Sequence, residues 1–209
     1  MQKGVNIFIK VIIYACIFVG IGLISWSGWQ YFDGKQQEEK ATKEAFELIE
    51  KAKTDPIEKK DFAPNFGDAA GMLVIDKIEA NLPIVEGTSE DDLKKGIGHY
   101  EGTSYPLDDD QIVLSGHRDT VFTRIGELEI GDVLTVQMPY GEFDYEIVST
   151  KIVDADDRTI IVPHDEEVLT VSTCYPFGYI GHAPDRYIID AKPIYDQSEY
   201  AHMKEQKEK

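Results

Sequence analysis

Three side chains in this sequence have the types that covalent acyl transfer requires: Cys174, His117 and Arg186. A thiolate attacks a carbonyl carbon and a thiol does not, so Cys174 needs a base or a positive neighbour. His117 supplies the first. It can give a proton to a leaving amine and take one from an incoming amine. Arg186 stays charged at any working pH and can hold a carbonyl or the oxyanion that forms from it. His117 precedes Cys174 by 57 positions and Arg186 follows it by 12, so a meeting of the three is tertiary. Taken singly, each has a plainer reading: a loop histidine, a surface salt-bridge arginine and an inert buried thiol. Their positions argue otherwise. Cys174 ends the β-type run Val168-Leu169-Thr170-Val171-Ser172-Thr173, after which Pro176, Gly178 and Gly181 force an irregular loop. Arg186 opens the next run, and His117 falls just past another, in Ser115-Gly116-His117-Arg118-Asp119-Thr120. Reactive groups are commonly held in this way, on loops set by a rigid scaffold.

The compartment sharpens the case for the thiol. Val11 to Phe32 carries no charge and is mostly apolar, and about 20 such residues cross a bilayer as a helix. Trp26, Trp29 and Tyr31 cluster at its far end like an interfacial belt, while Lys3 and Lys10 precede it. The positive-inside rule then predicts a cytoplasmic N-terminus and an extracellular domain anchored in the cell membrane. A cleaved signal has a shorter core, about 7–15 residues, and would export the same domain. Cys16 lies inside the apolar stretch, so Cys174 is the one exported thiol. In an oxidising compartment an unpaired cysteine points to reactivity or to intermolecular pairing.

Charge excludes other classes. Beyond residue 32 the chain holds 39 acids against 19 bases, a net charge of −20. Such a surface repels nucleic acid. The five histidines are scattered without the close pair of a helical zinc site, so no metal ligand set is expected. The acidic stretches at 86–92, 108–110 and 154–157 carry the oxygen ligands that calcium takes. Solvated turns are their default reading, and no cofactor is expected.

The elements that must position the three residues follow from periodicity. Residues 33–53 are rich in Glu, Lys, Ala and Gln, with a thin apolar stripe at Ala41, Ala45, Leu48, Ile49 and Ala52; they read as a helical stalk stopped by Pro56. From Gly71 onward the texture is β: strands are expected at 72–75, 82–86, 111–114, 133–138, 144–153, 159–162, 168–172 and 186–191. Tyr145, Ile147, Ser149, Lys151 and Val153 should share one face. Ser89 should cap a short helix over 89–95. Many strands with little helix predict a mainly β fold, a closed barrel with short helices behind a transmembrane helix and a helical stalk. The expected organisation is an anchor over 1–32, a stalk and linker over 33–70, the barrel domain over 71–196 and a polar tail over 197–209.

Thr170-Val171-Ser172-Thr173-Cys174 resembles the sortase Thr-Leu-x-Thr-Cys signature, with Val171 in the Leu position. Arg186 in Asp185-Arg186-Tyr187-Ile188-Ile189 is similar to the family arginine, and Ser115–Thr120 to the histidine motif. Gly96-Ile97-Gly98-His99-Tyr100, Cys174-Tyr175-Pro176-Phe177 and Ala183-Pro184 look most like class D sortases. The resemblance covers about Gly71–Ile194. It implies a sortase-like barrel and a cysteine transpeptidase with His117, Cys174 and Arg186 as catalytic residues. It further implies substrate contacts near Thr173, His99 and Tyr175. The implied substrate is a Leu-Pro-x-Thr-Gly or Leu-Pro-x-Thr-Ala sorting signal on surface proteins, cut after Thr and joined to a cell-wall precursor amine. Ile160-Ile161-Val162-Pro163 could line the wall that holds the peptide's Leu and Pro, with core packing as the plainer alternative. Pilin-polymerising sortases commonly carry an Asp-Pro-aromatic lid and a C-terminal membrane helix. Here Ile57 follows Asp55-Pro56 and the C-terminus is polar, which argues against that role. Two other classes compete: an extracellular β-rich binding module with a structural Cys174, and a redox sensor that pairs through it.

Overall fold

The structure, a computed structural model, describes residues 2–179 and 181–194, with side chains from Ile9 onward. The expected polar tail at 197–209 lies outside the described residues. The chain divides into two compact units, Met1–Gln37 and Glu38–Lys209. One α-helix, α1 (Gln2–Thr54), contributes to both. In the first unit it is long and apolar enough to cross a membrane, with Val11, Ile12, Phe18, Leu23, Ile24, Trp26 and Trp29 all exposed. In the second, Ala41, Ala45 and Ala52 of the expected stripe are buried, so this part of the helix packs rather than standing free as a stalk. The helix stops at Thr54, two residues before Pro56.

Among the described residues that follow α1, eight strands form a closed barrel. Its strands are β1 (Ala69–Ile75), β2 (Ala80–Glu86), β3 (Ile97–His99), β4 (Gln111–Gly116), β5 (Val133–Met138), β6 (Gly141–Asp154), β7 (Val168–Tyr175) and β8 (Asp185–Pro193). They close in the order β1-β2-β3-β4-β7-β8-β6-β5, with β5 returning to β1. Two pairs are parallel, β2 with β3 and β4 with β7. A strand covered on both faces reads as a continuous run instead of an alternation. That is why Val168 to Thr173 of β7 are all buried. Leu73, Ile84, Ile97, Ile112, Leu114, Leu134 and Ile147 fill the interior. A four-residue helix, α2 (Glu90–Leu93), begins at Ser89, whose hydroxyl accepts from the Asp92 N–H in a reciprocal capping box.

Three expectations need correction. Residues 159–162 form no strand. The Gln111 side chain donates to the Ile160 carbonyl at 2.8 Å and accepts from the Val162 N–H at 3.1 Å, so a side-chain amide satisfies backbone groups that a ladder would otherwise take. Val162 is exposed and Ile160 only half-buried, so the segment is neither strand nor core. In β6 a bulge between Ile147 and Ser149 slips the register against β8. Tyr145 and Ile147 are fully buried, but Lys151 beyond the bulge is exposed and Val153 half-buried, so the expected common face ends at Ile147. The third is the omission of β3 from the expected strands, since three residues are too few to show a period of two.

Phe122 anchors the loop that carries His117. Its ring is fully buried, its N–H donates to the His117 carbonyl at 3.0 Å, and a Cβ built on Gly116 would meet it at 2.5 Å. Phe122→Ala is expected to cost about 3–5 kcal/mol of barrel stability in denaturant unfolding, because the loop cannot collapse into the space left.

Candidate active site

The parallel pairing of β4 with β7 brings the distant motifs together. It places Gly116 opposite Thr173, so His117, the first residue past β4, follows Gly116 where Cys174, still within β7, follows Thr173. Thr173 locks this register: its buried hydroxyl donates to the Gly116 carbonyl at 2.7 Å. On the other side, the antiparallel β7–β8 pair sets Cys174 opposite Arg186. One open cavity of about 310 Å³ is lined by His117, Arg118, Asp119, Cys174, Gly181, His182, Ala183 and Arg186. Cys174 is partly exposed and forms no disulfide. Cys174 therefore sits where a substrate can reach it, with His117 and Arg186 lining the same cavity.

The Arg186 guanidinium is tethered by its own loop, Nη1 donating to the carbonyls of Asp185 at 3.0 Å and Ala183 at 3.3 Å. Tyr175 does not line the cavity. Its ring lies beside the site, 5.3 Å from that of Phe177 and 6.4 Å from that of Tyr187, centroid to centroid. The structure also leaves His99 out of the cavity. It is buried, with Nδ1 2.8 Å from Glu86 Oε2 and Nε2 2.9 Å from the Ser104 carbonyl, and its ring stacks on Tyr105. A side chain committed on both nitrogens serves as a strut of the barrel wall. Sequence reasoning passed over Arg118 and gave no role to His182. Arg118 stood next to His117 in the quoted motif, which was the available signal; His182 carried none.

A family model for the sortase domain matches residues 73–194. The chain belongs to the sortase family. Sortase D of Bacillus subtilis (strain 168) is 49% identical over 204 residues, covering 93% of this chain and all of the relative. Among solved structures, the sortase D5 transpeptidase of Clostridium perfringens superposes with a TM-score of 0.66 at 29% identity, covering 77% of this chain and 99% of that one. Sortase C of the same species, determined with the C-terminal cell wall sorting motif, gives 0.58 at 27%, covering 78% and 90%. This sortase is accordingly a transpeptidase of the class D type, and the binding-module and redox-sensor alternatives fall.

Among the described residues of this sortase, no group of three or more His, Cys, Asp or Glu side chains is arranged to hold a metal ion. The acidic stretches are occupied with turns. Asp110 accepts from the N–H groups of Gln111 and His164, and Asp157 from the N–H and hydroxyl of Thr159. Pro56 and Ile57, which stand where a lid would carry Pro and an aromatic residue, line a separate cavity with Phe46, Ile49, Met138 and Tyr140.

The Glu86 cluster supplies a pH-dependent strut. Burial pushes the Glu86 carboxyl upward, but hydrogen bonds from His99 and Tyr105 outweigh it and hold the group below its ordinary 4.5. Burial, followed by the Glu86 carboxylate, pushes the Tyr105 phenol far above its usual range, which keeps it a donor. A carboxyl depressed in the folded state stabilises the fold above its unfolded value, and that contribution disappears as pH falls through the lower folded value. Glu86→Gln should thus destabilise the sortase by about 1–3 kcal/mol at pH 7. The gap to wild type, followed by thermal melting, should narrow as pH drops below 4.5.

Proposed function

We propose that this sortase cuts a Leu-Pro-x-Thr-Gly or Leu-Pro-x-Thr-Ala sorting signal after its Thr and joins the new Thr carboxyl to a cell-wall precursor amine. The observation that carries this reading is the single cavity shared by Cys174, His117 and Arg186. The thiolate of Cys174 adds to the Thr carbonyl carbon, and the carbonyl π electrons move onto oxygen. Arg186 offsets the charge on that oxygen. As the oxyanion collapses, the carbon–nitrogen bond breaks, and the departing amine takes its proton from His117. A thioester remains on Cys174. The acceptor amine then adds to it, gives its surplus proton to His117, and expels the thiolate. Two lower barriers replace one high one. Thr173 fixes the strand pairing beneath the sulfur, and Tyr175 closes the flank of the site with Phe177 and Tyr187.

The sorting motif bound by the Clostridium perfringens sortase C supports a peptide of this kind as partner. The uncharged, mostly apolar stretch of α1 from Val11 to Phe32, which follows Lys3 and Lys10, supports a single-pass anchor with its N-terminus in the cytoplasm and the barrel outside. The net charge of −20 beyond residue 32 argues against nucleic acid as a partner. The test is mass spectrometry of the full-length sortase in detergent after incubation with a Leu-Pro-x-Thr-Gly and Leu-Pro-x-Thr-Ala library, with no acceptor amine. A thioester adduct ending in Thr is expected on Cys174. An adduct on another residue, or cleavage without any adduct, would overturn the reading.

A further inference from the structure

The loop joining Cys174 to Arg186 is held unevenly. Its near end is packed, with the Phe177 ring against Tyr187 at 5.1 Å between centroids and over Gly126, where a Cβ would meet the ring at 2.8 Å. Its far end returns to the sheet through Arg186, which donates to the Ala183 and Asp185 carbonyls. Of the described residues between, Gly178, Tyr179, Gly181 and His182 are exposed. Yet Gly181, His182 and Ala183 form one wall of the reactive cavity. What ties this stretch across to the His117 loop is Arg118. Its Nη1 donates to the Pro176 carbonyl at 2.8 Å and its Nη2 to the Gly181 carbonyl at 2.9 Å. One planar fork thus holds two carbonyls, one just before the exposed stretch and one within it, on a loop 58 to 63 positions away in sequence.

We infer that Arg118 is a positioning residue for the sortase reaction, one that fixes the β7–β8 loop as a substrate-binding wall and sets affinity for the peptide rather than the reactivity of the sulfur. The inference rests on Cys174 being the nucleophile and goes beyond it. The guanidinium spends two of its donors on backbone carbonyls, so its role is geometric. A guanidinium presents donors in a rigid plane and reaches two acceptors at once; an ammonium is a point charge that cannot match that fork. With the fork removed, the exposed stretch samples many conformations, and the peptide must order it on binding. That cost falls on KM. His117 and Cys174 keep their places through the β4–β7 register and the Thr173 hydroxyl, which Arg118 does not touch.

The experiment compares the full-length wild type with Arg118→Ala and Arg118→Lys, all in detergent, by three readouts. Peptide cleavage kinetics should show KM raised about 10- to 100-fold in Arg118→Ala, with kcat within about 3-fold and Arg118→Lys between the two. The pH profile of Cys174 alkylation by iodoacetamide should superimpose across all three proteins. Hydrogen exchange in the segment 176–183 should be faster in Arg118→Ala than in wild type. A fall in kcat at unchanged KM, a shift of the alkylation profile to higher pH, or unchanged exchange would each overturn the inference. The profile shift would show instead that the charge of Arg118 acts on the sulfur. Should Arg118→Ala fail to fold, as judged by melting, Arg118→Lys is read against the same criteria. If the wild type cleaves no peptide, the proposed substrate fails, while exchange and alkylation still decide whether Arg118 holds the loop.

Discussion

Cys174→Ala is expected to abolish acyl transfer by this sortase, lowering kcat/KM for a quenched sorting peptide by at least ~10⁴-fold, to background. Every covalent step passes through that sulfur, and nothing lining the cavity can replace it. Asp119 is an exposed carboxylate, and the other lining groups are histidines, guanidiniums and small loop residues. His117→Ala should cost nearly as much, because a thiol without its base is a poor nucleophile and the departing amine would leave unprotonated. The double variant is the decisive comparison. Two residues that act as one unit are grossly non-additive, so losing both should slow the reaction no more than losing Cys174 alone. Additive losses would mean that His117 serves another step.

Arg186→Lys should lower kcat/KM by about 10²–10³-fold, equivalent to about 2.7–4 kcal/mol of transition-state stabilisation, despite keeping the positive charge. Arg186 is paired with Cys174 across β7 and β8, and two of its own loop carbonyls hold Nη1. It can therefore meet an oxyanion without first being ordered. An ammonium in its place is mobile and strongly hydrated and must be fixed during the reaction. Steady-state kinetics should locate the loss in kcat, the converse of the pattern expected for Arg118→Ala. A loss confined to KM would make Arg186 a ground-state anchor for the peptide.

The barrel was legible where burial leaves a pattern. Val133–Met138 was bounded correctly because its apolar and polar residues alternate between core and solvent. The doubly covered β7 was visible as an unbroken run. Ile160 to Val162 has the same composition without the pairing, and only the tertiary reach of Gln111 explains where its backbone groups go. The three reactive side chains were legible by type and by their places at strand ends, but their meeting depends on a register that local sequence does not encode. His99 shows the limit. Its motif was visible, yet whether it faced the cavity or the wall turned on Glu86, 13 positions earlier. Arg118 was visible beside His117 but its task was not, since its partners are carbonyls, which leave no trace in side-chain identity.

The β4–β7 pairing also bears on how the enzyme comes into being. It joins segments that lie 57 residues apart, through a parallel contact that no short turn can nucleate. Loop-closure entropy must be overcome before that contact gives any return, so the reactive centre should be among the last parts of the chain to assemble. A nascent or partly folded chain would then carry a thiol with neither base nor guanidinium beside it. Such a chain stays chemically quiet until the barrel has shut.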